Sequence, residues 1–564
     1  MPLRIPRSPL LGVMLLILAL LPAVAAVWWV PGFVTQDGPA HVYNAHILLE
    51  SLRLGEDSPF AQVYEPRWRP LPNLGGHLTL IGLLAILPPV AADRAMTTLS
   101  MVGFALAILW LRWRVAGTSG LATASLLAAL LALNMPWLMG FSNFLLGAIL
   151  ALITWGLWWE WKDRLGPGKA AMIGGLLVLG YFGHLVSLGL TVGGVLVLAA
   201  LAPGNRSDCF GRLRWTLVAC LPLVPLALLY KALTAEGGAF EPVWEQAGPF
   251  WSPSVWVRRL SWVDPITLGR RDLVPLMPGR ESREFVLLSP SLWLGLGLLI
   301  LIGSGLRRRL AGERSGADRT AWAVLSGGLW LGAMLGPDGF GDEHGYFLTQ
   351  RLALMGLACL LPALELNPGR RSNRLAAGLI FVALVLQSAF VWDYAMESDR
   401  RAGAILQTAP EMGRGHRVGT LLIDIRGRYR SNPLLHADCL LGVGSGHVIW
   451  SNYETRHYYF PVQLRSGVEA PPSAVFEKVA ILDDPADAHQ RALLWADLLR
   501  QYGQAIDLIL IWGRDPTLEA ITAEWAGQDL RDRSGAVQIV RRKQTGNDHP
   551  STVPSDRSET LLPE

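Results

Sequence analysis

Charged residues make up only 17% of this 564-residue chain, against about a quarter in soluble domains. The shortage is concentrated in long charge-free runs. With 51% hydrophobic residues and a mean hydropathy of +0.33, it excludes an ordinary soluble globule. Lysine is scarce, only five residues, and nearly all the basic charge is arginine. The net charge of +4 gives no basis for a nucleic-acid partner. The four cysteines, Cys209, Cys220, Cys359 and Cys439, have neither metal-type spacing nor the pattern of a disulfide framework. There is no fixed-period repeat. Gly442-Val443-Gly444-Ser445-Gly446 lacks the Lys and the helix context of a phosphate-binding loop.

What fills the space is apolar helix. Candidate spans are 8–30, 95–111, 119–138, 141–159, 170–183, 185–202, 215–234, 286–304, 320–336, 346–364 and 375–392. Many of the 23 Trp residues, including Trp28, Trp29, Trp137, Trp158 and Trp159, fall near span ends, where interfacial anchors are expected. Arg4, Arg7 and Ala23-Val24-Ala25 mimic a cleavable signal peptide. The apolar run continues through Trp28-Trp29-Val30, which favours an uncleaved first helix. The stretch 74–92 is interrupted by His77, Gly75-Gly76 and Pro88-Pro89. If it lies along the outer leaflet instead of crossing, the basic clusters at Arg112-Trp113-Arg114, Lys162-Asp163-Arg164, 206–214, Arg307-Arg308-Arg309 and Arg370-Arg371 all face one side. The positive-inside rule makes that side cytoplasmic.

The pattern predicts an α-helical polytopic membrane protein with about eleven transmembrane helices, a juxtamembrane helix in the first outer loop, and a small C-terminal extracytoplasmic α/β domain. The expected divisions are a membrane domain over 1–394, the α/β domain over 395–545 and a disordered tail over 546–564. Strands are expected at 417–424, 506–513 and 536–540, where short β-type apolar runs end in turn signals. A helix is expected at 486–502.

Asp37, in Thr35-Gln36-Asp37-Gly38-Pro39-Ala40-His41, stands just outside the first span. It has two readings. Before Gly38-Pro39 it can cap a helix. Alternatively, an ionised carboxylate there can act as a general base on an acceptor hydroxyl. His41 falls one turn later on the same helical face, placed to bind phosphate or a metal. Asp338, Asp342, Glu343 and His344 lie in a short Gly-rich loop, where Asp342, Glu343 and His344 add candidate substrate contacts or form a hydrated turn. Arg351 sits about one turn into an apolar span, where a charge usually faces a cavity or a partner, or else snorkels outward. His184 is placed at the outer turn between two short spans, as a packed interfacial residue or a phosphate or sugar contact.

A first helix followed directly by Asp37, a loop whose apolar segment starts at Leu71-Pro72-Asn73-Leu74-Gly75 and leaves at Pro88-Pro89-Val90-Ala91-Ala92-Asp93-Arg94, resembles the GT-C superfamily of membrane glycosyltransferases. The resemblance covers roughly the first 160 residues in detail, beyond which it is one of polytopic architecture. It is shared with the aminoarabinose and protein O-mannosyl transferases. The family often carries a second acid after the third or fourth span, where this chain offers only the amides Asn134 and Asn143. The resemblance implies transfer, with inversion, of a sugar from a polyprenyl-phosphate donor to a lipid, glycan or protein acceptor on the outer face of a bacterial inner membrane. In that role Asp37 would be the base. Arg351, with His41 or His184, would hold the phosphate. No cofactor is required by the pattern, and whether a divalent metal takes part is left open. Two other readings are a transporter or flippase of a lipid-linked intermediate and a non-catalytic membrane scaffold.

Overall fold

The structure, a computed structural model, describes residues 9–234, 264, 266, 288–311, 318–339, 346–367, 369–425, 427–482, 485–527 and 536–543. The expected tail over 546–564 lies outside the described residues. The chain is mostly helical. It begins with α1 (Pro9–Trp29), α2 (Gly38–Leu54), α3 (Leu74–Leu84), α4 (Pro89–Ala116), α5 (Leu121–Ala132), the short α6 (Met135–Leu138) and α7 (Ser142–Trp161). There follow α8 (Pro167–Gly183), α9 (Leu185–Leu201), α10 (Arg206–Cys220), α11 (Leu223–Thr234), α12 (Pro290–Leu310), α13 (Asp318–Leu335), α14 (Leu348–Ala363) and α15 (Arg371–Leu406).

Among the described residues, five helices (α1, α4, α7, α12 and α15) are long and apolar enough to cross a bilayer. The pair α10–α11, bent by 49°, is long and apolar enough only if its two helices count as one broken span. Each of the eleven apolar stretches read from the sequence is helical over most of its length, but several are short. The stretch 74–92 is not one helix: α3 has 11 residues, about 16 Å at 1.5 Å per residue, too little for a ~30 Å hydrocarbon core. Pro88 and Pro89 then start α4.

The bundle core joins residues of α1, α4, α5, α7 and α15. Here one expectation needs correcting: Trp137, Trp158 and Trp159 are buried among the helices, not anchored at an interface. Trp158 Nε1 donates to Thr216 Oγ1 at 3.0 Å, which satisfies its polar edge inside the bundle. Trp28 and Trp29 are exposed. The C-terminal carbonyls of α1 are held by Arg94, whose guanidinium donates to Trp28 O, Val30 O and Pro31 O.

After α15 comes a four-stranded sheet in the order β3-β2-β5-β6, built from β2 (Arg417–Leu422), β3 (Val448–Ile449), β5 (Leu508–Trp512) and β6 (Val537–Arg541). β2 runs parallel to β3 and β5, and β6 is antiparallel to β5. The helices α16 (Ser473–Ile481), α17 (Ala488–Tyr502) and α18 (Pro516–Ala526) accompany it. Leu508-Ile509-Leu510-Ile511 is buried throughout, as expected of a central strand covered on both faces. α15 runs unbroken through position 394, so the membrane bundle and the sheet region share a helix at the boundary expected there.

A two-stranded antiparallel pair ties the first loop to this region: β1 (Tyr64–Pro66) pairs with β4 (Val462–Leu464). One apolar core contains Tyr43, Ile47, Leu48, Phe60 and Tyr64 together with Leu421, Ile449, Trp450 and Ile509. Polar groups buried at this junction pair across it. Tyr43 Oη donates to His447 O at 2.7 Å and accepts from Ile449 N–H at 3.2 Å. Asn44 and Asn452 exchange amide hydrogen bonds at 2.9 Å. The first loop and the C-terminal region therefore pack as one unit.

Candidate active site

Asp37 occupies the N-cap position of α2, but its side chain makes no capping hydrogen bond. Pro39 supplies the pre-set φ that starts the helix. The Asp37 carboxylate instead lines a cavity of about 310 Å³, which decides against the capping role. The backbone before it is pinned, with Gln36 N–H and Asp37 N–H donating to Leu138 O at 3.0 Å and Met139 O at 3.1 Å. Gly140, at φ +80°, lets that segment approach, since a Cβ there would meet the backbone nitrogens of Gly38 and Asp37. Gln36 Nε2 donates to Asp37 Oδ1 at 3.3 Å, and His436 Nε2 stands 3.8 Å from the same oxygen. Burial pushes the Asp37 carboxyl up to about 7, opposed by the charge of His41.

His41 also lines the cavity. Its Nδ1 lies 2.5 Å from Glu454 Oε1, and His77 Nε2 lies 2.8 Å from Glu454 Oε2. His77 and Glu454 are fully buried. The three donor atoms all fall within 4.8 Å of one another, close enough for a divalent cation. Yet each carboxylate oxygen is already within hydrogen-bond distance of a ring nitrogen, nearer than two ligands stand around a shared ion. The arrangement is a hydrogen-bonded clamp. Burial would raise the Glu454 carboxyl, but the two imidazoles overcome it and hold the group at about 2. Burial lowers the His41 imidazole, but the charge and hydrogen bond of Glu454, together with the charges of Asp37 and Asp93, leave it raised.

Across the cavity, Arg351 lies in the first turn of α14 and is buried. It does not snorkel outward. Its guanidinium stacks over Phe141 at 4.7 Å and Phe144 at 5.2 Å, a cation–π seat. Nη1 is 3.1 Å from His184 Nε2. His184 caps α9, its Nδ1 accepting Val186 N–H at 3.1 Å. A neutral imidazole has one lone pair, so His184 can accept from only one of Val186 N–H and Arg351 Nη1 at a time.

Asp37 and His41 at the start of α2, His184 at the start of α9 and Arg351 of α14 thus line one cavity. Asp342, Glu343 and His344 lie outside the described residues. Their neighbour Asp338 accepts from Thr349 Oγ1 at 2.6 Å and from Thr349 N–H, so it holds the start of α14. Asn143 also lines the cavity while accepting Gly76 N–H at 2.7 Å.

The sequence reading missed the segment Tyr453–Phe460. It contributes Tyr453, Arg456, His457 and Tyr459 to the cavity wall, with Arg456 paired to Glu477 at 2.7 Å. Its signal was the density of aromatic and histidine residues in Tyr453-Glu454-Thr455-Arg456-His457-Tyr458-Tyr459-Phe460, unusual for a solvated stretch. The second acid lining the cavity is Glu477, paired with Arg456, while Glu454 stands behind the wall against His41; both come from a part of the chain far from the third and fourth spans.

No family model matches the chain, and no curated protein matches it by sequence. Among solved structures, it is similar to the arabinofuranosyltransferase AftD from mycobacteria, at 14% identity and a TM-score of 0.41, over 94% of this chain and 41% of that one. The chain thus spans about two fifths of that protein's length. It is also similar to the oligosaccharyltransferase of Archaeoglobus fulgidus in its apo form, with 12% identity, a TM-score of 0.43 and coverage of 88% and 69%. The same archaeal protein, AglB, in complex with an inhibitory peptide and a dolichol-phosphate gives 11% identity, a TM-score of 0.45 and coverage of 89% and 69%. These likenesses are distant, and the functional reading rests on the site's own geometry.

Proposed function

We propose that this protein is a membrane glycosyltransferase that moves a sugar from a polyprenyl-phosphate donor to a lipid, glycan or protein acceptor. The observation that carries this reading is the convergence of one buried carboxylate, Asp37, and one buried guanidinium, Arg351 beside His184, on a single cavity. Asp37 accepts the proton of the acceptor hydroxyl as its oxygen attacks the anomeric carbon. The C–O bond to the lipid phosphate breaks, and Arg351 and His184 hold the departing phosphate. Inversion follows from the family resemblance. Tyr453 and Tyr459 offer flat apolar faces to a sugar ring.

Orientation is supported by where the charges meet. Arg114 pairs with Glu160 at 3.2 Å, Arg212 with Asp163 and Arg319 with Glu365 at 3.0 Å. On α4, Arg112 is nineteen residues from Asp93, about 28 Å along the helix, one hydrocarbon thickness. Asp93 adjoins Gly38, beside Asp37. This spacing supports a reading in which the basic loops and the cavity lie at opposite ends of the bundle. In this reading the basic end is cytoplasmic, the N-terminus with it. The cavity and the C-terminal α/β region face outward from a bacterial inner membrane, with eleven crossings.

The test is Asp37→Asn in purified protein supplied with short-chain polyprenyl-phosphoryl pentoses and hexoses. Release of the polyprenyl phosphate should stop while farnesyl phosphate still binds. Undiminished release would sink the reading, and a flippase or scaffold would be indifferent to the substitution.

A further inference from the structure

We infer that Glu454 is a positioning residue for the reaction proposed above: reaching from the C-terminal region, its carboxylate fixes His41 and His77 and so sets the imidazole that stands one helical turn from Asp37. This rests on the reading of Asp37 as the base.

Three observations converge on it. Glu454 is fully buried and its two oxygens are divided between two rings, at 2.5 Å to His41 Nδ1 and 2.8 Å to His77 Nε2. The rings belong to different helices, α2 and α3, and meet edge to face at 5.6 Å, so neither can rotate without losing its half of the carboxylate. With Nδ1 held by Glu454, His41 has Nε2 left for the cavity that it lines. A buried acid that served only to join the two parts of the chain would not need to grip a ring at the cavity wall. Tyr43, Asn44 and the β1–β4 pair already make that junction.

The electrostatic surroundings fix the sign of the effect. Around His41 stand Asp37, Asp93 of α4, His77 of α3, Glu454 and His436. Around Asp37 stand His41, Glu477 of α16, Glu454, His436 and Arg351 of α14. His41 is the strongest charge acting on Asp37, and it lowers the carboxyl. The direct effect of Glu454 is opposite and smaller. Removing the Glu454 charge takes away the largest influence that holds His41 charged against burial, leaving only Asp37 and Asp93, and so weakens the main stabiliser of the Asp37 anion.

The experiment measures kcat/KM against pH for polyprenyl phosphate release, for the wild type, Glu454→Gln and His77→Gln. Glu454→Gln should move the acidic limb upward by about one pH unit and lower kcat about tenfold or more, with KM for the short-chain donor within about twofold. His77→Gln disturbs the same clamp but keeps the His41–Glu454 contact, so its limb should stay in place. If Glu454→Gln does not accumulate, Glu454→Asp, which keeps the charge on a shorter arm, should show partial loss of kcat with an unmoved limb. An unmoved limb in Glu454→Gln, or equal displacement in His77→Gln, overturns the inference whatever the activity. So does unaltered kcat in Glu454→Asp. The base reading fails separately, through persistent turnover in Asp37→Asn.

Discussion

Arg351 Nη1 stands 3.1 Å from His184 Nε2, and the Nδ1 of the same ring faces Val186 N–H at 3.1 Å. Arg351 Nε is buried with no hydrogen-bond partner among the described residues. A phosphate oxyanion in the cavity would accept from this guanidinium. Arg351→Gln should therefore weaken farnesyl phosphate binding, measured calorimetrically in nanodiscs, by about ten- to a hundredfold, the loss of a hydrogen bond to a charged group at ~1.5–3 kcal/mol. Arg351→Lys keeps the charge but not the planar fork, and should recover only part of the affinity. Unchanged binding in Arg351→Gln would remove the phosphate site.

Asp37 works as a base only when ionised, and burial raises its carboxyl to about 7. Activity should therefore rise with pH through about 7 and level off above it. A profile already flat from pH 5 to 8 would be incompatible with this carboxylate as the titrating group. Asp37→Asn should lower kcat by about 10²–10⁴-fold and abolish the acidic limb.

The Glu454 clamp makes stability pH-dependent in both directions. Glu454 is held at about 2, below its ordinary 4.5. Its contribution is complete above pH 4.5 and lost as pH falls towards 2. His41 is raised above its ordinary 6.5, so its contribution is complete below pH 6.5 and lost as pH climbs through the raised value. The gap in melting temperature between the wild type and Glu454→Gln, both detergent-solubilised, should be widest between about pH 4.5 and 6.5.

Tyr43 Oη is buried with one donor and one acceptor satisfied across the junction of the first loop and the sheet region. Tyr43→Phe strands His447 O and Ile449 N–H without a partner, at a cost of about 1–3 kcal/mol. Thermal unfolding should register that loss, and limited proteolysis should cut the C-terminal region sooner. A melting temperature equal to wild type would mean that water replaces the phenol.

Asp37 and Arg351 were legible in the sequence because each is a charge at the edge of, or inside, an apolar run, where its position alone marks it as costly. The runs that form β2, β5 and β6 were legible too, since Leu508-Ile509-Leu510-Ile511 has the length and flanks of a buried strand. Glu454 was not, because an acid in a polar stretch carries no local mark. Its meaning comes from two histidines roughly four hundred positions away. His77 registered only as an interruption of hydrophobicity, which is how any buried, paired histidine reads in one dimension. The strands β1 and β4 have three residues each, too few to show alternation, and their pairing is a tertiary fact. Trp137, Trp158 and Trp159 looked like anchors because position within a span does not reveal which face a helix turns inward.

The contact between Tyr43 and His447 joins positions 404 residues apart. A ribosome must release most of the polypeptide before the first loop and the sheet region can close on each other around the cavity. Chains halted earlier would have half its wall. Closure should then be slow, as long-range pairing generally is.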